Sequence, residues 1–252
     1  MTTQFDCTLN GVSLSSLNDC ICITDIIEDA PLMHETTLPL HNGGQRVLTR
    51  ERQSLSIRVR FAIHAESPAL RSAIAAVLRH WATSSGYLTI STRPGQRLHV
   101  SCPGIPTLSG SDWSEELTLV FTSTHTPYWE DAEHTSAKGS SAVSLTVPGN
   151  ADSTPVEVVL INTSATTVTA VSVICGLTRV NFENIALPSG GQLVISRVNG
   201  AFTAKLDGSS ILHRRTMDSA DELLAPCGQT ATLYVTPSQG MYAFYNVRGR
   251  YL

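Results

Sequence analysis

The chain has 252 residues, 42% of them hydrophobic and 15% charged, with a formal net charge of −4, a composition that excludes a disordered chain and fits a globular one rich in β-structure. No window approaches the roughly 18 consecutive apolar residues of a membrane span, and neither half is basic enough for a nucleic-acid footprint. At this length one large β-domain or two ordinary ones can bury a core without covalent staples.

The opening MTTQFDCTLNG lacks a basic start followed by an apolar core. No secretory signal is therefore read there, and the protein is expected to be made and assembled inside a cell. FDCTLNGVSL predicts a β-hairpin, because Asn10-Gly11 supplies the positive φ angles of a two-residue turn between Phe5-Cys7-Leu9 and Val12-Leu14. CICITDII follows as a strand that points Cys20 and Cys22 to one face. The next stretch, APLMHETTLPLHNGGQRVLTRERQ, reads as a hairpin arm closed at Asn42-Gly43-Gly44, with Pro31 and Pro39 keeping it out of a sheet centre. SLSIRVRF alternates strictly, with Leu55, Ile57, Val59 and Phe61 toward a core and Ser54, Ser56, Arg58 and Arg60 toward water or a partner.

One segment reads as helix: Ser67 suits the N-cap, Pro68 the first turn, and Leu70, Ile74, Val77, Leu78 and Trp81 form a stripe that ends at Ser84-Ser85-Gly86. YLTIS is a strand, Pro94-Gly95 turns into RLHVSC, and the loop PGIPTLSGSD leads to the strand EELTLVF and the cluster TPYWED. The segment 130–141 reads as a linker, placing a first domain at 1–138 and a second at 139–252. Dividing there gives 10 Lys+Arg against 14 Asp+Glu in the first part and 7 against 7 in the second, so the first part carries the whole −4. Beyond it come only short strands, AVSLTV, PVEVVLIN, AVSVIC, TRVNFEN, GQLVISRV, AFTAKL, SILHR, ATLYVTP and MYAFYNVRGRYL, separated by turn signals such as Asn199-Gly200 and Asp207-Gly208. That spacing predicts an antiparallel sandwich or jelly roll. In the last segment Tyr242 and Phe244 share one face, Tyr245, Val247 and Tyr251 the other, and one of the two faces is expected to be a surface.

The search for chemistry returns no catalytic, cofactor-binding or metal-binding residue, and the chain is read as no enzyme. There is no GxSxG elbow, HExxH or Walker loop. The eight histidines show neither i, i+4 nor i, i+2 spacing, and the six cysteines form no CxxC pair, so buried reduced thiols are expected. The acid pairs Glu28-Asp29, Glu115-Glu116, Glu130-Asp131 and Asp221-Glu222 point to opposite sides of a strand and read as solvated edge charges. Asn162-Thr163-Ser164 matches a glycosylation sequon that is expected to stay unused.

Taken in order, LNGVSL, the arm with NGGQRVL, SLSIRVRF, the helix through Leu78 and Trp81, RPGQRLHV, LTLVF with TPYWED, and YNVRGRYL resemble the distal tail protein (Dit) family of long-tailed, non-contractile (siphovirus) bacteriophages. The likeness spans nearly the whole chain. It implies a mainly β protein: an N-terminal β-sandwich-like ring domain with one α-helix and a hairpin arm, and a C-terminal galectin-like β-sandwich. The function implied is that of a structural hub in the virion tail tip, assembled in the host cytoplasm. As a homohexameric ring it would join the tail tube protein to the tail-associated tip protein and a receptor-binding protein, with a DNA channel through its centre. No cofactor, membrane contact or specific nucleic-acid binding is implied.

A cyclic ring needs two different complementary patches, and Leu38, Leu40, Val47 and Leu48 of the arm are candidates for one, being costly to leave in water. Pro127, Tyr128 and Trp129 are the candidate domain junction. The acidic excess of the first part is expected to lie partly on the lumen, where it would repel DNA. The rival reading is a carbohydrate-binding β-sandwich that recognises a host cell-wall glycan through exposed rings of the second half.

Overall fold

The computed structural model describes residues 5–41, 43–104, 114–140 and 142–252. Asn42 of the arm's turn and residues 105–112 of the predicted loop lie outside the described residues. The protein is mainly β and divides into two compact units, Met1–Trp129 and Glu130–Leu252.

The first unit contains β1 (Cys7–Leu9), β2 (Val12–Ser13), β3 (Ile21–Glu28), β4 (Met33–Pro39), β5 (Gln45–Arg52), β6 (Ser56–His64), α1 (Pro68–Ala82), β7 (Gly86–Ile90), β8 (Gln96–Ser101) and β9 (Ser114–Ser123). The predicted first hairpin forms, with Asn10 and Gly11 at φ 52° and 81°. One antiparallel path runs β2-β1-β7-β8-β9-β6-β3. Pairing between β8 and β9 is limited to Val100 with Ser123 and Ser101 with Thr122, whereas β6 and β9 are in register from Ser56–Thr122 to His64–Ser114. The sheet is thus two leaves, β2-β1-β7-β8 and β9-β6-β3, joined at a narrow seam.

The alternation in SLSIRVRF gives the core face its side chains: Ile57, Val59, Phe61 and Ile63 are fully buried. Helix α1 packs over both leaves. Ser67 Oγ accepts the Leu70 amide at 3.2 Å, and Trp81 sets its ring edge-on to Phe121 of β9 at 5.9 Å while its Nε1 donates to the Val12 carbonyl of β2 at 3.0 Å. The expected stripe needs one correction, since Val77 is exposed and Arg71 is buried in its place. Leu78 and Ile74 set the angle of the buried face, and Val77 falls outside it. A second correction concerns the thiols. All six are free, but only Cys7, Cys175 and Cys227 are buried. Cys22 is exposed because Ile21 and Ile23 take the core side of β3.

The strand β10 (Trp129–Asp131) carries the chain across the division. In the second unit follow β11 (Thr135–Gly139), β12 (Ala142–Thr146), β13 (Ser153–Asn162), β14 (Val168–Cys175), β15 (Thr178–Leu187), β16 (Gln192–Val198), β17 (Ala201–Leu206), β18 (Ser209–Ser210), β19 (Leu224–Pro226), β20 (Thr230–Thr236), β21 (Met241–Val247) and β22 (Arg250–Tyr251). One sheet runs β11-β21-β13-β16-β17-β18, with β19 on β13, and the other β12-β20-β14-β15. Inward residues of both, such as Val158, Leu160, Leu193 and Tyr245 against Val173, Phe182 and Leu233, are fully buried. The Cys175 thiol and Tyr245 hydroxyl meet between the sheets at 3.3 Å. This is the expected sandwich.

Three readings change here. Residues 130–141 are no linker: β11 pairs with β21 from Thr135–Val247 to Gly139–Ala243. SILHR is no strand beyond Ser210, since Leu212–Arg214 forms a 3-10 turn. YNVRGRYL is broken at Arg248-Gly249, and β22 pairs with β10, with the Asp131 amide donating to the Gly249 carbonyl at 3.0 Å. There Gly149 (φ +106°) approaches the backbone so closely that a Cβ would lie 2.3 Å from the Arg250 carbonyl oxygen. Of the two faces of β21, Tyr245 and Val247 are buried and Phe244 is exposed, so the Tyr242–Phe244 side is the surface. Asn162 is wholly buried, its amide donating to the Thr166 and Leu187 carbonyls at 2.8 and 3.0 Å, so the sequon presents no acceptor in the folded chain.

Candidate functional site

The arm is the first place where the structure leaves something undone. β4 and β5 pair from Met33–Arg52 to Pro39–Gln45 around a bulge at Thr36/Thr37. They form a separate two-stranded sheet. Every residue of β4 is exposed, and so is β5 up to Glu51. Thr37 opposes Val47 and Leu38 opposes Arg46, which puts apolar side chains on both faces. Leu38, Leu40, Val47 and Leu48 are 49%, 43%, 50% and 51% exposed, and Leu32 and Met33 extend the same bare surface to the arm's base. The four candidate residues are thus neighbours on one element, all in solvent.

The base of the arm is fixed by the Gln53 amide on the Leu32 carbonyl at 2.8 Å and by the Arg52 guanidinium 5.2 Å from the Tyr128 ring centroid. Along it Arg50 Nε donates to Glu35 Oε1 at 2.6 Å. An isolated two-stranded hairpin is at best marginal in water, so an arm bare on both faces needs a cover.

Trp129 is the second place. Its ring is fully buried in the first unit. Its Nε1 donates to Glu28 Oε2 at 3.1 Å, and Arg93 Nε donates to the same carboxylate at 3.0 and 2.8 Å while the guanidinium lies 5.5 Å from the Trp129 ring centroid. Glu28 closes β3 and Arg93 sits in the turn from β7 to β8, so this cluster ties the last strand of one leaf to a turn of the other. Pro127 and Tyr128 are half-buried beside it. Trp129 has no free ring surface for a ligand. Replacing Glu28 by alanine removes the acceptor of a buried indole N–H and is expected to lower the stability of the first unit by about 1–3 kcal/mol, measured as a shift of its urea midpoint.

The pairs Glu28-Asp29 and Glu130-Asp131 differ from the solvated reading, whereas Asp221 is fully exposed as expected. Glu28 is held by Arg93 and Asp29 by Arg58. In the second unit Glu130 Oε1 accepts Arg250 Nε at 3.0 Å and Asp131 Oδ2 accepts the Gly249 amide at 3.1 Å. Sequence offered no signal for these pairings, since their partners lie far along the chain. Among the described residues no three His, Cys, Asp or Glu side chains gather as a metal site. No helix there is long and apolar enough to cross a membrane, which says nothing of membrane-spanning strands.

No family model matches the chain. No curated protein matches it by sequence. Solved structures do. The Dit protein (gp 19.1) of SPP1, described as a paradigm of the hub adsorption apparatus in phages that infect Gram-positive bacteria, superposes with a TM-score of 0.74 at 11% identity, over 97% of this chain and 98% of that one. Chains of the phage P2 baseplate in its activated conformation also align, with TM-scores of 0.47 and 0.46 at 10% and 9% identity, covering 99% and 97% of this chain and 98% and 97% of theirs. Similarity at that second level carries no argument. The first establishes that this chain has the Dit fold.

Proposed function

We propose that this protein is a structural hub of a phage tail tip. It would form a ring, homohexameric as the sequence resemblance implies, that joins the tail tube protein to the tail-associated tip protein and a receptor-binding protein around a DNA channel. The observation that carries this reading is the Dit fold, matched across nearly the whole of both chains. The bare arm supports it independently. A closed ring is built from heterologous contacts, and an arm with apolar residues on both faces suits a groove of the next subunit. In this reading the first unit, up to Trp129, closes the ring and the sandwich, from Glu130 onward, is left for contacts with other tail proteins. The work is assembly rather than catalysis. No cofactor, membrane or specific nucleic-acid contact is part of it, and the place of action is the virion, after assembly in the host cytoplasm.

The test is native mass spectrometry of the full chain, with negative-stain imaging. A six-membered ring with a central opening is the expected result. A monomer that stays a monomer up to high concentration, alone and when mixed with its tail-tube partner, would sink the ring. A calculated surface that is positive along the channel would remove the repulsive role given to the acidic excess.

A second reading keeps one observation in its favour. On the outer face of β21, Phe244 is 36% exposed and stands edge-on to Tyr242, centroids 5.3 Å apart. Rings so placed could stack on a sugar. Calorimetric binding of cell-wall polysaccharide that is lost in Phe244→Ala would favour the glycan reading, and a ring that binds no polysaccharide would favour the hub.

A further inference from the structure

Between strand β9 and Trp129 the chain runs through Thr124, His125, Thr126, Pro127 and Tyr128, held at both ends. Upstream, Ser123 is clasped by Leu55, its amide donating to the Leu55 carbonyl at 2.9 Å and its Oγ accepting the Leu55 amide at 2.8 Å. Downstream stands the buried Trp129. In the middle, the hold comes from His99 on β8. The Thr124 amide donates to the His99 carbonyl at 2.9 Å, and His99 Nδ1 lies 2.6 Å from Thr124 Oγ1. The His99 ring lies flat on the ring of His125, centroids 3.6 Å apart at 13°.

Two neutral imidazoles stack well at that distance, and one proton on the pair is tolerated. Two protons are not, because parallel cations in van der Waals contact repel and neither ring can turn away without giving up the stack. The surroundings sharpen this. Tyr87 of β7 meets His99 edge-on at 5.1 Å, and Arg97 of β8 lays its guanidinium 3.9 Å from the Tyr87 ring centroid. Among the described residues the charged groups that act on His99 are His125 and Arg97, both cationic when charged. Burial first, then these two charges, hold the His99 imidazole below the ordinary histidine value of 6.5.

We propose that His99 and His125 form a proton-operated latch that holds Thr124 and His125 on strand β8 at neutral pH and releases them in mild acid. The sign follows from linkage. The latched segment binds protons less readily than the released one, so the latch holds fully above the ordinary histidine value and weakens as pH falls through and below it. The anchors at Ser123 and Trp129 do not titrate in that range, which confines the opening to the segment between them.

Hydrogen exchange of the full chain between pH 7.5 and 5.0, corrected for intrinsic rates, tests this. Protection of the Thr124 amide is expected to fall on acidification, by about tenfold for each unit that separates the latched and released titrations. His125→Phe keeps a flat ring on His99 but takes no proton, and in it the acid response should shrink to the part that burial and Arg97 impose on His99, while protection at pH 7.5 remains. Unchanged protection in the parent protein, or an undiminished response in His125→Phe, overturns the latch. If that variant does not fold, the imidazole NMR titration of the parent decides. A His99 titration below the ordinary histidine value is expected, and an ordinary one refutes the proposal.

Discussion

Trp129→Ala is expected to destabilise the first unit by about 3–5 kcal/mol, the usual cost of emptying a buried tryptophan site. Against the roughly 5–15 kcal/mol that a domain has in total, that is enough to leave the unit partly unfolded near body temperature. The reason lies in what the ring joins. Trp129 is fully buried, and it meets Glu28 from the end of β3 and Arg93 from the turn between β7 and β8. Among the described residues the leaves are also joined by the short β8–β9 seam, by the bonds of Thr124 to His99 and by Trp81 of the helix. Removing the indole opens a cavity and frees the Glu28–Arg93 pair to solvent. Trp129→Phe keeps most of the packed surface and loses only the Nε1 bond, so about 1 kcal/mol is expected for it. Urea unfolding followed by a first-unit probe measures both. A loss under about 1 kcal/mol in the alanine variant would show that the ring is not what closes the unit.

Much of this fold is legible in the sequence because the local chemistry agrees with the tertiary result. Strand β6 alternates without a fault, Ser67-Pro68 starts the helix, and Asn-Gly or Asp-Gly pairs mark three hairpin turns, with Asn199 and Asp207 adopting positive φ as Asn10 does. Where reading failed, the local signal was weak or pointed elsewhere. TSAKG has no apolar alternation and becomes β11 because an edge of β21 is there to pair with. Val77 fits a helical stripe as well as Arg71 does not, yet the helix axis is set by the sheet beneath it. Cys22 looked like core only because its neighbours are. The Glu28–Arg93–Trp129 cluster joins residues up to 101 positions apart, and no spacing rule reaches that far. The arm shows both sides of the limit. Its apolar residues are plain in the sequence, but that they are bare on both faces is a fact of the coordinates alone.

That bareness gives the second large effect, on assembly rather than on folding. In the ring reading, Leu38→Asp combined with Leu48→Asp is expected to leave the unfolding of both units unchanged, since neither leucine touches a core. Each buried leucine is worth about 1.5–3 kcal/mol, so losing two should weaken every subunit contact by about 10²–10⁴-fold. The added carboxylates, desolvated without partners, push further the same way. Because a ring repeats the contact at each subunit, closure should be lost at concentrations where the parent assembles. Light scattering after gel filtration reads this directly. Leu177→Asp is the control. Leu177 lies on a turn of the second unit and is fully exposed, so a charge there should cost nothing if the arm is the contact. If the arm variant assembles like the parent, the arm is a flap whose leucines tolerate water, and the ring must close through another surface. If Leu177→Asp also breaks the assembly, the second unit takes part in the contact.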